Sequence, residues 1–545
     1  MSYSKKIWLS KNKNEFSIEF LFFIVVLVSF LVDIFFKGFQ THRILNLLEN
    51  ILFSIIIIIP LCFIQNKKIF RLYFFISFLL FSISVFIETS YYYIFNVNLS
   101  PSAIYIFFES NNGEAKEFLS LYLDIYLILY ALLLTIIIVS AIVSRAMAIK
   151  YINKTHFKGS NIIICFALIL ILIRVTPLRF QNLPYLILKS FYVVYFESKV
   201  LESDAYKSEK GIFEDAKIAD ISNSKLYVVI IGESTTRNNM SLYGYLRNTS
   251  PLLSQRNDLS VFTDVISPHA GTTASITKAL SLQNFDESLK ENGSIIQLLN
   301  AVNFETYWIS NQQPVGWAET DITKLIFSCK NKFYLSTESS EDTRSYDDVV
   351  FEKIDEVLNS KEANKFLFIH LQGTHIYYKN RYPESYNVFR NKIDNDLIVE
   401  ASDYDILNEY DNAILYNDFV VNTIINKIQS EKKESFVLYF SDHGEEVFNT
   451  KKFVGHNDDV GTLPMYEIPF ILWQSEKYKQ KNQIEIELRR SYMLDDLFHS
   501  IANLCRIKSE YVDSKRSIFN RSFKKRKRIL LKNRNYDELK SRKIK

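Results

Sequence analysis

The chain has 545 residues, 64 Lys and Arg against 60 Asp and Glu, a formal net charge of +4, and only four cysteines. That length allows more than one domain, the near balance of charge excludes a polycation that coats nucleic acid, and the cysteine count excludes a disulfide-built scaffold.

The averages conceal two different halves. From about Phe16 to Val175 the sequence is built of Ile, Leu, Phe, Val and Tyr in runs long enough to cross a bilayer. Five spans are expected, near Phe16–Phe36, Ile44–Ile64, Ile69–Glu88, Leu121–Val143 and Asn161–Val175, the second carrying Glu49 near its start. The first is too long for a signal peptide and lacks a small-residue cleavage site, so it stays as an anchor. Lys5, Lys6, Lys11 and Lys13, then Lys67, Lys68 and Arg71, then Arg145, Lys150, Lys154 and Lys158 fall on one side of five spans. The opposite loop carries Glu109, Glu114 and Glu117 against Lys116. Cationic loops stay cytoplasmic, so the N-terminus is cytoplasmic and everything after the fifth span is exported.

Residues 201–222 are polar and form a linker between a membrane domain, 1–200, and a soluble domain, 223–520. In the latter, apolar runs at Leu226–Ile231, Thr306–Ile309, Phe366–Ile369, Phe436–Phe440 and Ile468–Trp473 alternate with helical stretches. That pattern predicts an α/β domain with a mainly parallel central sheet. Residues 521–545 are read as a basic tail, suited to anionic lipid or phosphorylated glycan or simply solvated, and no nucleic-acid partner is expected. A Cys329–Cys505 disulfide is allowed, but the spacing does not argue for it.

In such sheets ligands sit beyond the carboxyl ends of the strands. There the sequence places Glu233, then Asn311 and Gln312, then His370 and His375, then Asp442 and His443. Glu233, Asp442 and His443 are ligand types that suit zinc, with manganese as second choice, and three protein ligands leave a coordination position open. The nucleophile to fill it lies in "SPHAGTTASITKAL", where Thr272 and Thr273 precede a helix expected from Ala274. A metal and helix N-terminal amides would both favour a hydroxyl working on an anionic phosphoryl group.

Each residue also has a plainer reading: an N-cap threonine pair, a capping Glu233, a structural Asp442–His443 pair, a core His370. Their joint arrival at strand ends favours a metal-dependent active site. His375 and His456 are placed to hold a phosphate oxygen, bind a second metal or protonate a leaving group, and His269 is a further substrate-binding candidate. His499 reads as a packing residue, and Asp458 and Asp459 as loop solvation.

"GESTTRNNMSLYGYLRNTSP", "SDHGEE", "GTHIYYKNRYP", "WISNQQP" and "VGHND" resemble motifs of the inner-membrane phosphoethanolamine transferases of Gram-negative bacteria, in the alkaline phosphatase and sulfatase superfamily. The resemblance covers Lys225 to Leu504 and the membrane layout. It implies a five-helix transmembrane bundle and a periplasmic sulfatase-like domain, with one zinc ion or two. Glu233, Thr272, Asp442 and His443 would hold the zinc, and Thr272 would carry phosphoethanolamine, with Thr273 the alternative. His375 and His456 match histidines that face the substrate phosphate. Asn311 and Gln312 match a rim segment that meets substrate, and "FFESNNGEAKEFL" brings Asn111 and Glu114 toward the lipid donor.

The implied reaction moves phosphoethanolamine from phosphatidylethanolamine to lipopolysaccharide or another envelope glycan through a covalent threonine intermediate. The absence of cysteines around the threonines is more similar to the branch acting on lipopolysaccharide core or surface glycans than to the disulfide-rich lipid A branch. The alternatives are a phosphoglycerol transferase, a phosphatase, or a catalytically inactive envelope scaffold. A sulfatase is disfavoured, because no cysteine stands at the nucleophile position.

Overall fold

The computed structural model describes residues 18–143 apart from 65, 101–102 and 105–111, isolated stretches between 163 and 192, residues 207–219, and residues 224–543 apart from 285–292, 313–320, 337–344, 393–397 and 401–402. The chain forms two units, one of Met1–Phe107 and Leu119–Val194, the other of Phe108–Phe118 and Tyr195–Lys545.

In the first unit, α1 (Ile18–Lys37), α2 (Thr41–Ile58) and α3 (Lys67–Phe95) are long and apolar enough to cross a membrane. Leu72, Leu80 and Ile136 are more than half exposed, as expected of side chains that face lipid rather than water. Polar groups turn inward: Arg43 pairs with Asp33 at 2.5 Å, Asn46 and Asn50 bond Glu88, and Glu49 is fully buried. Intramembrane polar groups need such partners, because lipid supplies none. The expectation of five spans is not met among the described residues, which hold three such helices, or four if a pair bent by 99° is one span. That pair ends in α5 (Ile125–Val143), which follows α4 (Asn112–Tyr122). Seven of the fifteen residues of the expected fifth span lie outside the described residues.

The second unit is built on seven strands: β1 (Lys225–Gly232), β2 (Leu259–Val261), β3 (Glu305–Ser310), β4 (Asn331–Tyr334), β5 (Lys365–His370), β6 (Glu434–Ser441) and β7 (Phe470–Gln474). Their order is β2-β7-β6-β1-β5-β3-β4. All eight residues of β1 are buried, alternating between two cores: Tyr227, Val229 and Ile231 on one face, Leu226, Val228 and Ile230 on the other. Helices cover both faces, which is why the strand reads as a continuous apolar run. Fully burying each aliphatic side chain contributes about 1.5–3 kcal/mol. Helices α6 (Thr272–Leu280), α7 (Ile295–Ala301) and α9 (Leu497–Leu504) pack on the first face, and α8 (Tyr404–Ser430) on the second.

The sheet is mixed. Pairings β1·β5, β1·β6, β3·β5 and β3·β4 are parallel, whereas β7 runs antiparallel to both β6 and β2. A parallel return from β6 would need a crossover helix. The segment between β6 and β7 instead forms a small antiparallel ladder, Glu446–Val447 with Val454–Gly455, and turns that carry His443, His456 and Asp458.

The basic C-terminal stretch is not a solvated tail but part of this unit: Leu530 and Tyr536 are fully buried and Arg528 is 2% exposed. Arg528 bonds Asp264 and Asp537, and Arg526 bonds Asp495 and Asp496. Its lysines, Lys524, Lys525 and Lys527, face outward. Cys329 and Cys505 are buried free thiols, so the allowed disulfide is not formed.

Candidate active site

Three parallel strands end side by side and their continuing backbone is cross-linked at once. Asp442 N–H donates to Gly232 O at 3.0 Å, Leu371 N–H to Ile231 O at 2.9 Å, and Thr374 N–H to Glu233 O at 3.0 Å. Glu233, Asp442 and His443 are thereby brought within 4.8 Å of one another by their ligating atoms, all three buried. Two glycines permit the close approach. A Cβ on Gly373, whose φ is +54°, would lie 2.7 Å from the Glu233 backbone, and one on Gly444 would lie 2.1 Å from Pro464 O.

Helix α6 begins at Thr272, two residues earlier than expected, with Gly271 as its N-cap. The Thr272 hydroxyl donates to Glu233 Oε2 at 3.0 Å and lies 3.4 Å from His443 Nε2. His443 Nδ1 is 2.8 Å from Gly444 O, which can only accept, so Nδ1 carries the proton and Nε2 is free to coordinate. Nε2 is 3.1 Å from Glu233 Oε1 and 3.5 Å from Asp442 Oδ2. Asp442 Oδ2 is buried and has no hydrogen-bond partner among the described residues, a costly arrangement for a carboxylate oxygen unless a cation meets it.

The electrostatics agree. Burial pushes the Asp442 carboxyl up, and the charge of Glu233 pushes it further, well above its ordinary value. Burial acts the same way on Glu233, but the charge and hydrogen bond of His443, with smaller help from His375 and His456, together leave this carboxyl well below its ordinary range. Burial opposes the His443 cation, yet Asp442 and Glu233 prevail and push it up to about 10. Without a metal the buried group therefore holds protons on Asp442 and on His443 Nε2; a divalent cation would take their place, and the N,O,O donors with the threonine oxygen fit zinc.

Around this group, His456 Nδ1 lies 2.7 Å from Glu445 Oε2, and its ring centroid is 4.1 Å from that of His443. Glu445 is fully buried, and its other oxygen accepts from the Tyr378 hydroxyl at 2.6 Å. His375 is partly exposed; the protein packed around it lowers its pKa, Glu233 opposes this and the Arg381 cation adds to it, so the ring stays neutral. Arg381 holds that loop, donating to His375 O at 3.1 Å, to Gln372 Oε1 at 3.0 Å and to Glu117 at 2.5 Å.

Other sequence expectations fare differently. Gln312 donates to Glu233 Oε2 at 3.2 Å and to Leu371 O at 2.9 Å, so it steadies the carboxylate. Asn311 lies beneath the rim rather than at its surface. It is fully buried and donates to Asp347 Oδ1 at 2.9 Å, because Asp347 needs donors for a carboxylate that also accepts from Gln372 and Gly373 N–H at 2.8 Å. His269 Nδ1 lies 2.9 Å from Asp458 Oδ2, so Asp458 is a partly buried structural carboxylate and not loop solvation, and Asp459 pairs with Lys532 at 2.6 Å. His370 is a core histidine against Trp308, and His499 is packed with its Nδ1 accepting from Asp513 N–H at 3.2 Å. Asn111 and the side chain of Glu114 lie outside the described residues. Glu445, Tyr378 and Asp347 have no role assigned from the sequence; Glu445 inside "SDHGEE" and Tyr378 inside "GTHIYYKNRYP" carried a signal, and Asp347 carried none.

A model of the sulfatase family matches residues 225–507. The phosphoethanolamine transferase EptC of Escherichia coli K12 is 30% identical over 507 residues, 87% of each chain. The chain belongs to the phosphoethanolamine transferases of the sulfatase family. A second transferase, CptA of Salmonella typhimurium, is 30% identical over 493 residues, 80% of each chain. Among solved transferase structures, the zinc complex of the C-terminal periplasmic domain of Escherichia coli EptC is 34% identical, with TM-score 0.57, covering 60% of this chain and 96% of that one. The integral membrane transferase EptA of Neisseria meningitidis shares the fold at 19% identity, with TM-score 0.68 over 92% of this chain and 97% of that one.

Proposed function

We propose that this protein transfers phosphoethanolamine from phosphatidylethanolamine to lipopolysaccharide or another envelope glycan, with its active site on the periplasmic side of the inner membrane. The observation that carries the reading is the Thr272 hydroxyl 3.0 Å from Glu233 beside the unpartnered Asp442 Oδ2. The transferase relatives at 30% identity supply the group transferred.

A zinc ion held by Glu233, Asp442, His443 and Thr272 Oγ1 would lower the pKa of the hydroxyl and offset charge on the phosphoryl oxygens. Thr272 Oγ1 attacks phosphorus as the bond to the diacylglycerol oxygen breaks; the hydroxyl proton of Thr272 passes to water, and the leaving oxygen takes up a proton. His456 in its protonated form is suited to deliver it, because Glu445 engages Nδ1–H and leaves Nε2–H for the leaving oxygen. His375, His269 and the Asn111–Glu114 segment would contact the phosphate and headgroup. An acceptor hydroxyl or phosphate oxygen then attacks the same phosphorus, returning Thr272 to its free form.

The test is intact mass of the detergent-solubilised, zinc-loaded protein after incubation with phosphatidylethanolamine or phosphatidylglycerol. A phosphoethanolamine adduct on wild type and none on Thr272→Ala supports the reading. An adduct only with phosphatidylglycerol overturns the donor, and no adduct with bound zinc overturns the covalent route.

A further inference from the structure

The C-terminal residues reach both loops that carry the reacting groups. Arg534 Nη2 donates to Asp458 O at 2.5 Å and to the Tyr466 hydroxyl at 3.1 Å. Gly461, with φ +51°, makes room for this guanidinium: a Cβ there would lie 2.3 Å from its nitrogens. Tyr466 donates to Asp458 Oδ1 at 3.0 Å, the same oxygen that accepts from Ala270 N–H at 2.9 Å, while Oδ2 meets His269 Nδ1. Asp458 thus fixes the turn that leads into Thr272. Burial would raise its carboxyl, but His269 and these donors hold it down at about 2, so it stays charged.

Two residues beyond Arg534, the fully buried Tyr536 donates to Glu467 Oε1 at 2.5 Å. Glu467 Oε2 accepts from Asn238 Nδ2 at 2.7 Å, and Glu467 O accepts from Arg237 N–H and the Thr236 hydroxyl at 3.1 Å each. Those residues lie three to five positions after Glu233. One short segment therefore ties down the chain before Thr272 and the chain after Glu233, the two partners of the 3.0 Å contact.

We infer that Arg534–Tyr536 is a clamp that sets the spacing between Thr272 and Glu233, with Arg534, acting through Asp458, and Tyr536, acting through Glu467, as positioning residues. Its activity arm rests on the proposed transfer; its structural arm does not.

Hydrogen exchange on the zinc-loaded full-length protein in detergent tests the clamp. Arg534→Ala should speed exchange in 267–272 by about tenfold, Tyr536→Phe should do so in 234–239, and β1 and β6 should keep their protection. Lys527→Ala, an outward residue of the same segment, should change neither. In the mass assay Arg534→Ala should slow the adduct-forming step about tenfold with little change in the lipid concentration at half-maximal rate, and Arg534→Lys should restore part of it. Unchanged exchange in both turns overturns the clamp, as does a uniform loss that includes β1 and β6. If wild type forms no adduct, the transfer reading fails while exchange still decides the clamp.

Discussion

His456 Nδ1 and Glu445 Oε2 are 2.7 Å apart, and Tyr378 closes the pair from the other side of the carboxylate. A carboxylate accepts, so this contact fixes one tautomer of His456 and aims Nε2 away from Glu445. Glu445→Gln should slow adduct formation by about tenfold to a hundredfold, with a smaller loss for Tyr378→Phe. Zinc content should be unchanged in both, measured by elemental analysis.

Thr272 meets Glu233, and the neighbouring Thr273 is the next residue of α6. Thr272→Ala should abolish the adduct and keep the fold, whereas Thr273→Ala should retain transfer. The reverse pattern would reassign the nucleophile. Mass spectrometry of the two variants and circular dichroism to check folding are sufficient.

Metal removal should destabilise as well as inactivate. Glu233 and Asp442 are buried side by side, so an ion bound only to the native state stabilises it by about 3 kcal/mol at a hundredfold excess over Kd. Chelation should lower Tm, and zinc should restore it. Asp442→Asn should blunt both shifts.

The loop that carries His375 depends on Gly373. Alanine there would meet the Glu233 backbone and adopt a disfavoured positive φ, costing on the order of 1–3 kcal/mol. Gly373→Ala should lower Tm and reduce the zinc affinity of the Glu233 site. Unchanged zinc titration would separate the two loops.

His499 gives a pH dependence outside the site. Burial, then Arg516 and Arg526, pull it down to about 3, and its Nδ1 must stay unprotonated to accept from Asp513. Its folded pKa lies below the unfolded value of about 6.5, so the stability it contributes is full above that value and is lost as pH falls toward about 3. Between pH 7.5 and pH 5 that loss is about 2 kcal/mol. A wild-type Tm that falls over this interval, with a flatter response in His499→Gln, is the expected result.

The sequence by itself determined the metal-suited residues, because strands buried on both faces are unbroken apolar runs and their ends are marked by the first polar residues. Glu233 after "LYVVII" and Asp442–His443 after "FVLYF" were legible for that reason. Hydrogen-bond partners were not, since they join residues far apart in the chain. Only the tertiary structure decided that Thr272 is the hydroxyl on Glu233, that Asn311 serves Asp347, and that Asp458 serves His269. It likewise turned the basic end of the chain inward, where Arg526, Arg528 and Arg534 meet carboxylates and carbonyls while Lys527 stays in solvent. A charge run looks the same in sequence whether water or a buried carboxylate neutralises it, and burial is a property of the fold alone.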